Sequence, residues 1–168
     1  EFGMKGLRLY PKWHNYSLAD ACCRELIAAA TERKLVVSIP LRVEDHRQRS
    51  WLVDIPDIPL AELADLVKAH PKARFLFVNG AGFARTPLGR RESGLPANYW
   101  IEISRLRALM ENDIGQILQD LGPDRVVFGT GMPFNTPDPA LVKMEVLEAS
   151  EGVKEQIRWK NAAGMLEP

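Results

Sequence analysis

A short, nearly continuous apolar run followed by a loop and an amphipathic helix recurs five times along these 168 residues. That repeat confines the chain to a parallel α/β architecture. The runs occupy residues 5–10, 35–40, 74–79, 99–104 and 125–129. Their starts lie roughly 25 to 40 residues apart, too far for hairpins and suited to strand–helix units. Leu35-Val36-Val37-Ser38-Ile39 and Phe75-Leu76-Phe77-Val78 are almost wholly apolar, as strands buried on both sides are.

The helices between them carry their own signals. Ser17 and Asp20 have the spacing of a capping box, and Leu18, Cys22, Leu26 and Ala29 then form one predicted apolar stripe. A second helix is predicted from about residue 59, with Leu60, Leu63, Leu66 and Val67 inward, stopping before Pro71. A third is predicted over 106–121, ended by Gly122-Pro123. Asp138-Pro139 stand in N-cap and N1 positions for a fourth, and a last helix follows Ser150. Two loops are long, 41–58 and 80–98, and both follow the C-terminal ends of strands, where such folds place ligands.

Composition excludes several classes. Hydrophobic residues make up 46% and charged residues 26%, the balance of a folded globular chain. Twenty-two basic and 22 acidic residues cancel, which gives no surface for nucleic acid or membranes. No apolar run approaches the roughly 20 residues of a membrane helix, and no signal-peptide pattern opens the chain. The two cysteines, Cys22 and Cys23, are neighbours and offer no disulfide framework, so a reduced, cytoplasmic setting is expected. No G-x-G-x-x-G or P-loop sequence is present, and neither Ser17 nor the cysteines stand beside a base. Residues 1–168 read as a single domain, or as the C-terminal part of one barrel domain. Pattern alone allows a complete five-stranded, flavodoxin-like doubly wound sheet or part of an eight-stranded TIM barrel.

Local sequences favour the barrel. Gly3-Met4-Lys5-Gly6-Leu7-Arg8-Leu9-Tyr10-Pro11, His70-Pro71-Lys72-Ala73-Arg74-Phe75, Val78-Asn79-Gly80-Ala81-Gly82, Arg125-Val126-Val127-Phe128-Gly129-Thr130-Gly131-Met132-Pro133 and Lys160-Asn161-Ala162-Ala163-Gly164-Met165-Leu166 occur in this order. Together they resemble strands four to eight and the terminal helix of the amidohydrolase-2 family, the metal-dependent TIM-barrel hydrolases and decarboxylases of the amidohydrolase superfamily. The resemblance implies a divalent metal such as zinc, a small carboxylate or lactone substrate, and ligands from strands one, five, six and eight. The positions that match the later ligands hold Pro40, Asn79 and Gly131. No metal is therefore expected on these strands, and a pseudoenzyme that binds a small anion is the alternative to a hydrolase. A third possibility, a flavodoxin-like receiver or cofactor carrier, goes with the doubly wound sheet.

The expected pocket lies at the strand ends. Arg8 and Tyr10 share one face of the first strand, and Glu102 joins them if its register points inward. Arg42, Glu44, Asn79, Thr130 and Asn135 come from the other strand ends or the loops just after. The alternating charges of Arg42-Val43-Glu44-Asp45-His46-Arg47-Gln48-Arg49 suit either an arginine grip on a carboxylate or phosphate, or a network of pairs that neutralises itself. His14 and His46 sit in loops at the mouth, with Glu44 and Asp45 nearby, and His70 ends a helix on the other side. An isolated set of five strands leaves edges unpaired, so further barrel strands or another subunit are expected partners.

Overall fold

A computed structural model of the chain describes residues 3–45, 47, 50–52, 54–133 and 135–167. All five predicted strands are present, each shorter than predicted: β1 (Gly6–Arg8), β2 (Val36–Pro40), β3 (Arg74–Val78), β4 (Tyr99–Glu102) and β5 (Val126–Val127). They form one sheet in the order β1-β2-β3-β4-β5, with every neighbouring pair parallel. A doubly wound sheet reverses its strand order at a switch point. This order never reverses, so the flavodoxin-like alternative is set aside and the sheet is that of a partial TIM barrel.

The helices are α1 (Ala21–Glu32), α2 (Leu60–Ala69), α3 (Asp113–Asp120), α4 (Asp138–Val146), α5 (Glu151–Glu155) and α6 (Asn161–Leu166), with a π turn, Gln156–Lys160, between the last two. One sheet face meets them. Val37, Phe75, Tyr99 and, one step on, Ile39, Phe77 and Ile101 align across β2–β4, and all are buried against Cys23, Ile27, Leu63, Val67, Ile114 and Ile117. Each such side chain contributes about 1.5–3 kcal/mol on burial. The Phe77 ring stacks on those of Phe75, Phe83 and Tyr99, with centroids 6.2, 6.4 and 5.8 Å away. The Tyr99 hydroxyl donates to the Leu88 carbonyl at 2.8 Å, and burial pushes its pKa up to about 12. Loop 79–98 thus serves packing: it winds through three 3-10 turns that seat Phe83, Ala84 and Leu88 in the core.

Four helix readings need correction. The buried stripe of α1 is Cys23, Ile27 and Ala30, one residue on from the predicted one, while Cys22 and Leu26 are exposed. Ser17 and Asp20 do pair, the Ser17 N–H donating to the Asp20 carboxylate at 2.9 Å, but ahead of the helix, and Asp20 takes the N-cap place. The predicted third helix starts seven residues late, at Asp113, because Met110 (φ 63°) and Asn112 (φ 44°) adopt left-handed backbone that no helix tolerates. Asn112 then caps α3 by accepting from the Gly115 N–H. Asp138 is the first residue of α4, and Pro137, not Asp138, holds the N-cap place.

The second sheet face carries one row across four strands, Arg8, Ser38, Leu76 and Trp100, in register. No helix packs this row into the core, and Leu76 and Trp100 stay half-buried. At the far edge the Phe128 N–H donates to the Ile157 carbonyl in the π turn at 2.9 Å, which covers β5 with the final helical segment. Asn161 fastens that segment by donating to the Pro123 and Val126 carbonyls, both at 2.7 Å. Arg74, at the start of β3, donates to the Gly164, Met165 and Glu167 carbonyls and to Lys34 O. Among the described residues no helix is long and apolar enough to cross a membrane. Replacing Asn161 with Ala removes donors from two partly buried carbonyls and should cost about 1–3 kcal/mol. Chemical denaturation checks this, with the exposed substitution Glu148→Ala staying within about 0.5 kcal/mol.

Candidate functional site

Period-two alternation carries Glu102 of β4 onto the second sheet face, where it is only 5% exposed. A buried carboxylate requires donors, and the following turn provides them. Glu102 Oε1 accepts from the Ser104 N–H at 2.6 Å, while Oε2 accepts from the Ser104 hydroxyl at 2.7 Å and the Asn79 N–H at 3.2 Å. Asn79 presents that N–H from a left-handed conformation (φ 54°), and its side-chain oxygen lies 3.0 Å from Ser104 Oγ. Lys143 reaches in from α4 to donate to the Ser104 and Ile103 carbonyls at 2.6 and 3.4 Å. Burial lowers the Lys143 pKa; Glu102 opposes that shift and Arg105 adds to it.

Arg105 extends the cluster. Its Nη1 donates to Asp45 Oδ2 at 3.0 Å and its Nη2 to Asn135 Oδ1 at 3.4 Å. Its Nε is buried without a partner. Asp45 is also gripped by Arg47, through Nε at 3.0 Å, Nη2 at 2.9 Å and the backbone N–H at 2.9 Å. The Arg47 bonds, then that of Arg105, hold the Asp45 carboxyl far below the usual carboxylate range.

Two glycines make room for this arrangement. A Cβ on Gly129 would stand 2.5 Å from Glu102 Cγ and Oε1. At Gly131, with φ +73°, a Cβ would stand 2.4 Å from Asn135 Nδ2 and 2.9 Å from Asn79 Oδ1.

Of the residues expected at the mouth, Asn79, Glu102 and Asn135 share this cluster. Arg42 borders it across a cleft of about 250 Å³ that Leu41, Asp57, Leu60, Asn79 and Arg105 also line. The Arg42 guanidinium itself lies on Asp57, with Nε 3.0 Å from each carboxylate oxygen. Tyr10, Arg42 and Glu44 line a second, narrower cleft with Trp13 and Pro40. Arg8 points to Ser38 Oγ at 3.3 Å, and Thr130 Oγ1 accepts from the Met132 N–H. In the charged loop, Asp45 thus pairs with Arg47 and Arg105, and Arg42 with Asp57.

Sequence reading passed over Ser104, Arg105 and Lys143. Ser104 was reachable, since it continues the alternation from Glu102, whereas Lys143 arrives from a helix 39 residues on, with no local signal.

At the positions matched to the family's later ligands, side-chain donors for a divalent metal are few. Pro40 and Gly131 offer no side-chain ligand, Glu102 is already engaged by three donors, and two cationic side chains, Lys143 and Arg105, stand beside it. Among the described residues no group of three His, Cys, Asp or Glu side chains could hold an ion. His14 is exposed beside the Tyr10 ring at 5.8 Å, His70 caps the end of α2 far from the mouth, and His46 lies outside the described residues.

A parallel sheet of this order, with its polar cluster at the strand ends, is that of part of a TIM barrel. The sequence matches the family described as Amidohydrolase over residues 1–167, and the chain belongs to it. Comparison with curated protein sequences finds no match. Similar solved structures include 5-carboxyvanillate decarboxylase LigW from Sphingomonas paucimobilis, at 14% identity and TM-score 0.70 over 96% of this chain and 58% of that one. An uncharacterized TIM-barrel protein from Bordetella bronchiseptica gives 16% and 0.70 over 98% and 57%. The 2,6-dihydroxybenzoate decarboxylase from Rhizobium gives 15% and 0.63 over 90% and 57%. The chain therefore spans well under two thirds of each of these relatives.

Gly→Ala at a backbone conformation that suits both residues ordinarily helps stability by about 0.4–1 kcal/mol. Gly129→Ala should instead cost about 1–3 kcal/mol, because the new Cβ displaces Glu102 from its donors; the denaturation midpoint reads the sign directly. A second expectation concerns His70, whose pKa burial and then Arg24 hold below the ordinary 6.5. Between that lowered value and 6.5 the unfolded chain binds more protons. Stability is therefore full above 6.5, falls as pH drops through this window and levels off below it. His70→Gln should remove that step from a stability–pH profile.

Proposed function

We propose that these strand ends form the anion-binding side of a barrel mouth that takes a small carboxylate, without a divalent metal held by these five strands. Arg105 carries the reading: its guanidinium borders the cleft beside Asn79 and Arg42 and retains a buried Nε with no acceptor. Guanidinium forks match carboxylates bidentately, and in a partly buried site such bonds are strong. The carboxylate-processing names of two of the similar structures support the ligand class. Family membership supports a second reading, a hydrolase or decarboxylase acting on a small carboxylate or lactone. The polar cluster favours binding over that chemistry, because Glu102 is already engaged by three donors and no activated nucleophile accompanies it.

The half-exposed row of Leu76 and Trp100 and the open β1 edge support completion of the sheet by further barrel strands or a second subunit. The free thiols Cys22 and Cys23 support a reducing, cytoplasmic setting.

Calorimetric titration tests the binding reading. The protein should bind 2,6-dihydroxybenzoate and not its decarboxylated counterpart resorcinol, with the same affinity before and after chelator treatment. Arg105→Met should weaken binding on the order of tenfold or more. Equal binding of resorcinol, or binding only after zinc or manganese is added, would overturn the reading.

A further inference from the structure

After β4 the chain turns at Ile103–Leu106, where the Leu106 N–H donates to the Ile103 carbonyl at 3.0 Å. Ser104 and Arg105 form the two corners of that turn. Glu102 holds the first corner, accepting from the Ser104 N–H at 2.6 Å and from its hydroxyl at 2.7 Å. Lys143 holds the link between the two corners from α4: its Nζ lies 2.6 Å from the Ser104 carbonyl oxygen and 3.4 Å from that of Ile103.

The Ser104 carbonyl belongs to the planar peptide unit that ends in the Arg105 nitrogen. A bond to it therefore fixes the plane from which the Arg105 side chain departs. Lys143 has a firm base for this, since Ala140 and Met144, on the same side of α4, are both buried. The loop leading into α4 adds a second hold, Asn135 Oδ1 accepting from Arg105 Nη2 at 3.4 Å. One segment thus reaches Arg105 at its backbone and at the tip of its guanidinium. Drawing an ammonium partly out of water is costly. Burial lowers the Lys143 pKa accordingly, with Glu102 opposing the shift and Arg105 adding to it.

We infer that Lys143 is a positioning residue for Arg105: it holds the Ser104–Arg105 peptide, and through it the aim of the guanidinium at the cleft. This rests on the proposed carboxylate-binding reading and adds to it a residue that does not itself line the cleft.

The test is Lys143→Met, which keeps most of the side chain's length and removes the ammonium. Titrated with 2,6-dihydroxybenzoate, this variant should bind on the order of tenfold more weakly than the unmodified chain. The loss should be the same at about 0.05 M and about 0.5 M salt, because a fixed geometry is not screened. In an Arg105→Met background the same substitution should cost no further affinity. In the ligand-free protein the Arg105 Nε–H resonance, identified by its loss in Arg105→Met, should shift in Lys143→Met. Lys143→Gln, read the same way and checked for a cooperative denaturation transition, guards against a folding defect peculiar to methionine. Should the unmodified chain bind the carboxylate while both Lys143 variants bind it equally well, or lose as much again without Arg105, the positioning is overturned and the binding reading stands. An unmoved Arg105 resonance, or a loss that disappears at the higher salt, overturns it as well. Should the unmodified chain not bind the carboxylate, the binding reading falls and the positioning falls with it.

Discussion

Parallel strands that give one face to helices must find cover for the other, and in this sheet the second face carries Ser38, Leu76, Trp100 and Glu102. The helix-facing side is a continuous apolar core running from Ile27 through Phe77 to Ile117. The other side is mixed. Its middle is apolar and half-open, and its C-terminal end is polar and closed by hydrogen bonds. A closed barrel resolves that contrast, since its interior packs side chains from facing strands and its mouth collects the strand ends. The polarity gradient along β4, from Trp100 to Glu102 and Ser104, marks which end is which.

Strand positions were legible because continuous apolar runs have few other uses in a chain of this composition. Helix ends were less so. The stripe of α1 was misplaced by one residue, since Cys22 and Cys23 are chemically identical and only packing separates them. The late start of α3 depends on the left-handed backbone of Met110 and Asn112, which propensity does not reveal at a methionine. At the mouth, Asn79, Glu102 and Asn135 could be placed by alternation and by position after a strand. Arg42 was equally visible as a residue, but its engagement with Asp57 depends on how a loop of some 15 residues closes. Lys143 was out of reach for the same reason.

The cluster around Glu102 depends on two glycines that leave room for its partners. Where the family resemblance puts an aspartate, Gly131 lets Asn135 and Asn79 approach, and a Cβ there would already crowd both amides. Gly129 gives Glu102 the same freedom two residues earlier. Lys143 and Arg105 bring positive charge to the strand ends, and both are fixed by bonds to carbonyl or carboxylate oxygens. A cationic environment of this kind attracts anions without the ligand exchange that a metal permits.

Arg74 belongs to the third strand, yet most of its acceptors are carbonyls from Gly164 to Glu167, some 90 residues later. On a ribosome the arginine therefore emerges long before its partners exist. The base of the sheet stays unfastened until α6 emerges, with the Arg74 guanidinium held by water and Lys34 O alone. Emergence of α6 is then the event that locks β3 in place, so a pause in translation before it would prolong the time the half-built sheet stands open to chaperones and proteases.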